Sequence, residues 1–531
     1  MKKILLSILL FAMCFPVARA DEGMWLPIFI NRLQNVDLEK MGLKLSAEEL
    51  YSVNNSSLKD AIVSFNGYCT GEVISESGLL LTNHHCGFDA IQNHSTVESD
   101  LLENGFWAQN MEEELKNPGF FVDFLVKMED VTSLIIDESV EAENDLSKRA
   151  QLIQANKNTV QTSQNLSGTE WVEIKSFFGG NEYYLFVYER FNDVRMVGVP
   201  PNSIGKYGGD TDNWMWPRHT GDFALFRVYM SPDGSGAEYS PDNIPLKPKH
   251  HLPISLGGVE ANDFTMVFGY PGSTERYLSS FGVQQALDKK NPTIVEIRTE
   301  ILEVLNGHMR ADREIEIKYA SKKARISNYW KYFIGQSKGL KALKIYDKKV
   351  AQEQAFADFV NSSPENKEQY GNVLKDIKSF YAITDDVVVP WYTRSQAGYA
   401  ADAIWFSSNA ERLFEALKSE DVELIEIESG ALKESAKEFF VEYDKNVDQD
   451  LFEVGMKMYV DMTPKEFLPR FVLESFEKYK CAPKWAKKTY KKSMFVDEEK
   501  LRAFLDQPSL KKLEKDPIFQ TYLALAETGD V

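Results

Sequence analysis

The positions of apolar and polar residues divide the chain into two parts with different periodicities. Up to about residue 275, short apolar or alternating runs are separated by clusters of Gly, Pro, Asn and Asp. Four such runs occupy residues 183–191, 193–201, 223–230 and 264–270. Because runs of this length between turn residues are typical of strands, this part predicts a β-barrel or sandwich rather than alternating α/β units.

Beyond residue 275 the apolar residues recur at helical spacing. Asn291 and Pro292 predict an N-cap and a first helical turn. Two sets of apolar residues follow a period near 3.6: Ile294, Ile297, Ile301 and Leu305, and then Leu432, Ala436, Phe439, Phe440 and Tyr443. Glycine is also unevenly distributed along the chain: 22 of the 31 glycines precede residue 275. We therefore expect an α-helical domain over residues 276–531.

Residues 1–20 have the character of a secretory signal peptide. Two lysines precede an apolar stretch that is too short to span a bilayer, and the segment ends in small residues at Ala18 and Ala20. Cys14 lacks the small preceding residue that a lipoprotein anchor favours. No later segment is apolar for long enough to cross a membrane. The sequence thus predicts a soluble, periplasmic or secreted protein whose β-rich domain covers residues 21–275.

The net charge restricts the classes of partner that the protein can have, and the cysteines bear on the cellular compartment. The formal net charge of −20 argues against nucleic acid or an anionic membrane as the main partner. Signal removal leaves Cys69, Cys86 and Cys481, and an oxidising compartment permits a Cys69–Cys86 disulfide. For the leftover Cys481 we favour a buried thiol in the helical region over an intermolecular bridge.

Two adjacent histidines and a cysteine follow an apolar run in GLLLTNHHCGFD, residues 78–89. One interpretation is a zinc site made of His84, His85 and Cys86. Neighbouring strand residues point to opposite faces and no second Cys/His cluster at ligand spacing follows, so the pattern disfavours a metal. The order of strand, Thr, His and Cys, with a cysteine upstream, resembles the histidine corner of chymotrypsin-like serine peptidases. This resemblance implies that His85 is catalytic and that His84 is its outward neighbour.

A catalytic histidine needs a carboxylate that fixes its tautomer and stabilises the imidazolium. Residues 208–228 place Asp222 behind Gly221 and directly before an apolar strand, which is the setting of an orienting acid. The alternative for Asp222 is a turn residue at a strand end. Asp210 and Asp212 lie in a polar, turn-like stretch and are predicted to be solvated or to shape the loop.

Four longer segments resemble the bacterial dipeptidyl-peptidase 7 and 11 family of exported serine exopeptidases. They are NGYCTGEVISESGLLLTNHHCGFDAIQ (66–92), GKYGGDTDNWMWPRHTGDFALFRVY (205–229), FGYPGSTERY (268–277) and RISNYWKYFIGQSKGL (325–340). The resemblance covers nearly the whole mature chain. It implies a chymotrypsin-like double β-barrel with a large helical domain inserted between the barrels, as a lid over the cleft.

Carried over position by position, the resemblance implies that His85 is the general base and Asp222 its orienting acid. It also implies that Asn213, Trp214 and Asn328 hold the ammonium of the substrate, because amide oxygens accept its hydrogen bonds and an aromatic face favours a cation. Core packing is the alternative for the two tryptophans of DNWMW. The implied partners are oligopeptides with a free N-terminus; a homodimer is compatible with the family, and no cofactor is expected.

The family's nucleophile, a serine in a Gly-x-Ser-Gly turn beside an oxyanion hole, has no clear counterpart. Ser235, in PDGSGAE, is predicted to lie in a hairpin turn, and Ser273 matches a segment of the first barrel. We therefore expect the second barrel to be missing, so that residues 1–531 are an inactive N-terminal portion of a serine dipeptidyl-peptidase. The alternatives are a non-catalytic peptide-binding protein that keeps the ammonium clamp, and a metallopeptidase.

Overall fold

The computed structural model describes residues 24–32 and 38–527, so the predicted signal peptide lies outside the described residues. The chain divides into two compact units. Among the described residues, the sheet unit comprises residues 24–32, 38–82, 110–197 and 225–271, and the helical unit comprises residues 83–109, 198–224 and 272–527. The predicted boundary after residue 275 stays a prediction, because this division also assigns two earlier segments to the helical unit. In the described ranges no helix is both long and apolar enough to cross a membrane.

The strands of the described residues belong to one open antiparallel sheet. They are β1 (Ile62–Phe65), β2 (Cys69–Val73), β3 (Leu79–Thr82), β4 (Phe106–Trp107), β5 (Leu115–Lys116), β6 (Val122–Asp130), β7 (Glu170–Phe177), β8 (Glu182–Phe191), β9 (Asp193–Val199), β10 (Ala224–Met230) and β11 (Ile244–Pro245). Within the sheet unit the order is β9-β10-β3-β2-β1-β6-β8-β7, with β11 on β10 and β5 on β9. The combination of β-sheet and α-helices is confirmed, whereas the chymotrypsin-like barrel is not.

Three of the four predicted strands form and the fourth does not. The runs 183–191, 193–201 and 223–230 correspond to β8, β9 and β10. The run 264–270 has no regular structure, and Val267 within it is fully exposed. Because an extended segment is stabilised as a strand only by a hydrogen-bonded neighbour, and no described strand pairs with this run, its apolar alternation is not sufficient.

A buried carboxylate shows how the sheet unit accommodates charge. Asp123, on β6, is 2% exposed and accepts two hydrogen bonds of 2.8 Å from Arg190 on the neighbouring β8. The indole Nε1 of Trp171 on β7 donates to the same carboxylate at 2.9 Å. A bidentate guanidinium and an indole satisfy the oxygens of the carboxylate, which is the condition for burying a charge.

The sheet unit also contains helices, most of them short. They are Pro27–Arg32, Leu38–Met41, Ala47–Leu50, Leu58–Ala61, Met111–Glu113, Thr132–Ile135, Glu138–Ala142 and Leu146–Thr162. Leu146–Thr162 is the longest helix of this unit, and Asp145 caps it by accepting hydrogen bonds from the backbone N–H groups of Ser147 and Lys148.

Helices make up most of the second unit. They are α1 (Phe88–Asn93), Leu101–Asn104, Asn202–Gly205, Gly209–Asp212, Ser280–Gln285, Ala286–Lys290, α2 (Asn291–Ala311), Arg313–Lys318, α3 (Ala320–Ala342), Ile345–Val360, Pro364–Tyr370, Val373–Thr384, Val388–Thr393, Arg394–Gly398, Asp402–Ser407, Ser408–Ala410, Glu411–Ser419, α4 (Val422–Glu442), α5 (Lys445–Met462), Lys465–Phe467, Arg470–Tyr479, Ala482–Lys492, Glu498–Asp506, Leu510–Leu513 and Pro517–Glu527.

Both predicted apolar sets face the core of the helical unit. Ile294, Ile297, Ile301 and Leu305 are buried on α2, and Leu432 and Ala436 are buried on α4. The predicted N-cap at Asn291 is wrong, because a π-helical turn, Ala286–Lys290, leads directly into α2. Asn291 is instead fully buried, and its Nδ2 donates to Gln336 Oε1 and Ser337 Oγ.

The core of the helical unit also contains a carboxylate, Asp448 on α5. It is fully buried and accepts hydrogen bonds from the backbone N–H groups of Asp402 and Ala403 and from the hydroxyls of Tyr443 and Tyr490. Burial raises the pKa of Asp448 to about 6 despite these donors. The residue ties α5 to neighbouring helices within the unit.

Candidate active site

His85 and Asp222 form a hydrogen-bonded pair within the helical unit. His85 lies in the turn that follows β3, and its Nδ1 is 2.7 Å from Asp222 Oδ2. The backbone N–H of His85 donates to the other carboxylate oxygen at 3.0 Å. One carboxylate thus fixes both the position of the backbone and the orientation of the ring.

A third residue holds Asp222 in place. Asn83 Nδ2 donates to the backbone carbonyl of Asp222 at 3.1 Å. Burial alone would raise the pKa of the Asp222 carboxyl, but the hydrogen bonds and charge of His85 outweigh burial and lower that pKa. An ionised carboxylate on Nδ1 fixes the tautomer that leaves Nε2 free to accept a proton, which is what a general base requires.

His84 is not the outward neighbour that the sequence predicted. Its side chain is completely buried, packed against the backbone of Gly205 and the ring of Phe88, whose centroid is 5.7 Å away. Burial lowers the pKa of His84 to about 4. The prediction failed because the two histidines occupy a turn, where the alternation of a strand no longer applies.

The cysteines follow the predicted pattern in part. Cys69 and Cys86 are both disulfide-bonded. Cys481 is a free thiol that is only partly buried, at the N-terminus of the helix Ala482–Lys492. Disulfide sulfurs are not thiolates, so the cysteine beside the histidines has no anionic sulfur to offer a metal.

The three residues predicted to hold the substrate's ammonium lie together in the helical unit. Asn213 Nδ2 donates to Asn328 Oδ1 at 2.8 Å. Trp214 Nε1 lies 3.0 Å from the same oxygen and 3.1 Å from the backbone carbonyl of Asn328. We call Asn213, Trp214 and Asn328 the amide cluster. Asn328 lies on α3, and the other two follow the short helix Gly209–Asp212.

The tryptophans of this loop are not core residues. Trp214 is 54% exposed and Trp216 is 90% exposed, so the core-packing alternative is wrong. Trp214 has a φ of 59°, a strained value that a bulky residue adopts only when its surroundings fix it. Its ring lies 5.0 Å from that of Tyr332 on α3.

Sequence reasoning missed two neighbours of the amide cluster. Tyr332 follows Asn328 by one helical turn, so the spacing i, i+4 would have placed both on one face of α3. Arg218 Nη1 is 3.4 Å from Asn213 Oδ1 and occupies one side of that oxygen. Nothing in the sequence pattern indicates the role of Arg218, because the loop that brings it there has no regular period.

Ser235 occupies a turn, as predicted. Its hydroxyl and its backbone N–H both donate to Asp233 Oδ1, at 2.6 and 2.9 Å. Local hydrogen bonds of this kind, from a hydroxyl and a backbone N–H to an aspartate two residues earlier, are typical of a polar turn. Among residues 24–32 and 38–527, no serine hydroxyl hydrogen-bonds to the ring of His85, whose side chain is 64% exposed.

Comparison with known proteins identifies relatives along the whole chain. The profile of the family Peptidase S46 matches residues 20–530. An Asp/Glu-specific dipeptidyl-peptidase of Flavobacterium psychrophilum is 42% identical, and the match covers 100% of this chain and 73% of the relative. A dipeptidyl-peptidase 7 of Capnocytophaga gingivalis is 40% identical, with 98% of this chain and 73% of the relative covered.

The fold has a counterpart among solved structures. The crystal structure of Porphyromonas endodontalis DPP11 in complex with the dipeptide Arg-Asp superposes with a TM-score of 0.82 at 32% identity, covering 96% of this chain and 73% of that one. The chain therefore belongs to the peptidase S46 family.

Proposed function

We propose that this protein is a serine-type dipeptidyl-peptidase that releases dipeptides from the free N-terminus of oligopeptides. The observation that carries the proposal is the presence, in one compact unit, of the His85–Asp222 pair and the amide cluster. The names of the relatives support the reaction class. The correspondence of the sheet to the first barrel of the family fold is part of the proposal.

In the proposed reaction His85 Nε2 takes the proton of a serine hydroxyl as its oxygen attacks the carbonyl carbon of the second residue. The imidazolium, stabilised by Asp222, then gives this proton to the departing amine, which leaves an acyl-enzyme. Water, deprotonated in turn by His85, releases the dipeptide and restores the serine. The chain covers 73% of the Flavobacterium relative, and we propose that sequence beyond the described residues contributes the serine and the oxyanion hole.

The amide cluster is suited to bind the N-terminal ammonium of the substrate, at the end of the dipeptide away from the bond that is cut. An ammonium donates three hydrogen bonds, and the cluster offers the side-chain oxygens of Asn213 and Asn328 together with the exposed face of Trp214. Asn328 Oδ1 already accepts from two neighbours, so an ammonium would replace one of these contacts. Binding therefore exchanges internal hydrogen bonds for stronger ones to a charged donor.

The proposal includes export to the periplasm or the medium, which rests on the character of residues 1–20. The disulfide-bonded state of Cys69 and Cys86 is compatible with an oxidising compartment. The proposed partners are oligopeptides, and the proposal requires no cofactor.

The test is the intact mass of the native protein, purified from its source after treatment with an organofluorophosphate that labels activated serines. We expect one adduct, on a protein heavier than residues 21–531. A measured mass equal to that of residues 21–531, without an adduct, would contradict the proposed enzymatic function. That outcome would instead support the alternative, a peptide-binding protein that uses the amide cluster alone.

A further inference from the structure

The short helix Asn202–Gly205 is attached to the segment that carries Asp222. The carbonyl oxygen of Ile204 accepts a hydrogen bond of 3.0 Å from the backbone N–H of Gly221, the residue before Asp222. A β-carbon on residue 221 would lie 2.7 Å from Cγ2 of Ile204, which is closer than two carbon atoms pack. The helix therefore approaches this segment so closely only because residue 221 has no side chain.

The same helix also packs against the turn that carries His85. The α-carbon of Gly205 faces the ring of His84, and a β-carbon on residue 205 would overlap that ring. The backbone of Gly205 is helical, so alanine would fit there if the ring were absent. Because His84 is completely buried and packs against Phe88, its ring has little space into which to move.

The hydrogen bond between His85 and Asp222 depends on where these two segments are held. The side chain of His85 is 64% exposed, so few packing contacts fix its ring. Asp222 lies in a stretch, residues 221–223, that has no regular secondary structure. The 2.7 Å distance from Nδ1 to Oδ2 is therefore set by the backbone positions of residues 85 and 222. The helix Asn202–Gly205 contacts the residue before each of them, and all of these residues belong to the helical unit.

Building on the proposed function, we infer that Gly205 and Gly221 are positioning residues of the candidate active site. The missing side chain at each position lets one helical turn approach both segments, and this approach sets the separation of the base from its orienting acid. Neither glycine supplies a functional group to the reaction.

The first test adds one methyl group beside His84 in the full native protein. Gly205→Ala should lower kcat about a hundredfold, because a displacement of the catalytic ring by about 1 Å is sufficient for such a loss. KM should stay nearly unchanged, because the members of the amide cluster hydrogen-bond to one another and not to this helix. In the double variant His84→Ala/Gly205→Ala, kcat should return to within about threefold of that of His84→Ala alone.

The second test acts on the other side of the helix. Ile204 is 48% exposed and can yield, so Gly221→Ala should fold even if Gly205→Ala does not. It should lower kcat about tenfold, and the added substitution Ile204→Ala should restore the rate. Gly307→Ala on α2 is the matched control, because a β-carbon there meets no atom within 4 Å. It should leave kcat and KM unchanged.

A spectroscopic measurement distinguishes positioning from a general loss of stability. The proton between His85 Nδ1 and Asp222 should give a downfield ¹H NMR signal in the unaltered protein, and Asp222→Asn should remove it. We expect Gly205→Ala to shift or abolish this signal and His84→Ala/Gly205→Ala to recover it.

Two results would overturn the inference. One is a fall in Tm in both glycine variants with kcat and the NMR signal unchanged, which would show that the glycines only stabilise the fold. The other is a loss of kcat that neither second substitution restores. If the unaltered protein shows the NMR signal but releases no dipeptides, the proposed function fails, whereas the signal in the glycine variants still decides whether they position the pair.

Discussion

The His85–Asp222 pair and the amide cluster are held together by different kinds of hydrogen bond. The pair is joined by charge-assisted hydrogen bonds to a carboxylate whose side chain is only 21% exposed. The amide cluster is joined by neutral hydrogen bonds between side chains at the surface, with Trp214 more than half exposed. Proton transfer tolerates little displacement, whereas a site for the end of a peptide must exchange its own bonds for those of the ligand.

The largest effect should follow from removing the base. In the full native protein, His85→Ala should lower kcat by about a million-fold, as loss of a triad member does in serine peptidases, with the circular dichroism spectrum unchanged. The measurement is turnover of a dipeptide substrate with a chromogenic leaving group. His84→Phe is the comparison and should retain activity. Loss of turnover in His84→Phe but not in His85→Ala would reverse our assignment of the two histidines.

Asp222→Asn should reduce the rate by about ten-thousand-fold, because an amide favours the wrong tautomer of His85. The substitution keeps the size of the side chain, and Asn83 still holds the backbone carbonyl at this position. The thermal midpoint should therefore change little while kcat falls. A rate within tenfold of the original would show that Asp222 is only a turn residue.

The amide cluster should respond to substitution in KM rather than in kcat. Asn328→Ala removes the oxygen that Asn213 and Trp214 share, and we expect about a 10- to 100-fold rise in KM for peptides with a free N-terminus. N-acetylated peptides, which lack the ammonium, are the control and should be bound with unchanged affinity. Equal losses for both kinds of peptide would contradict the ammonium site.

The last prediction concerns stability rather than turnover. The pKa of His84 is lowered from 6.5 to about 4, so its neutral form stabilises the fold above pH 6.5 and this contribution is lost as the pH falls toward 4. The difference amounts to about 3 kcal/mol. Denaturant titrations at pH 7 and pH 4.5 should show a smaller loss in His84→Phe than in the unaltered protein. An identical loss in both would show that the pKa of His84 is not lowered in the folded protein.

The local sequence pattern was sufficient to predict a helix or strand where the pattern lies within that one element. The helical periods of α2 and α4 were predicted correctly, because each helix buries one face and the period records that face. The strands β8 to β10 were predicted from apolar runs between turn residues, and most of their side chains are buried. The same reasoning failed at residues 264–270, where an apolar alternation has no strand to pair with, and at Asn291, where a helix continues through a π-turn. The partner with which a strand pairs can lie far away in sequence, so a local pattern does not record it.

For the candidate site, the sequence alone determined which residue types are present and in what order: a histidine after a strand, an aspartate before a strand, and two asparagines beside tryptophan and tyrosine. Only the tertiary structure decided which histidine faces the carboxylate, because the chain turns after β3 and buries His84. It alone brought Asn328 to Asn213 across 115 positions and bound α3 to α1. Such contacts join segments whose separation no local period records, so they follow from packing rather than from sequence pattern.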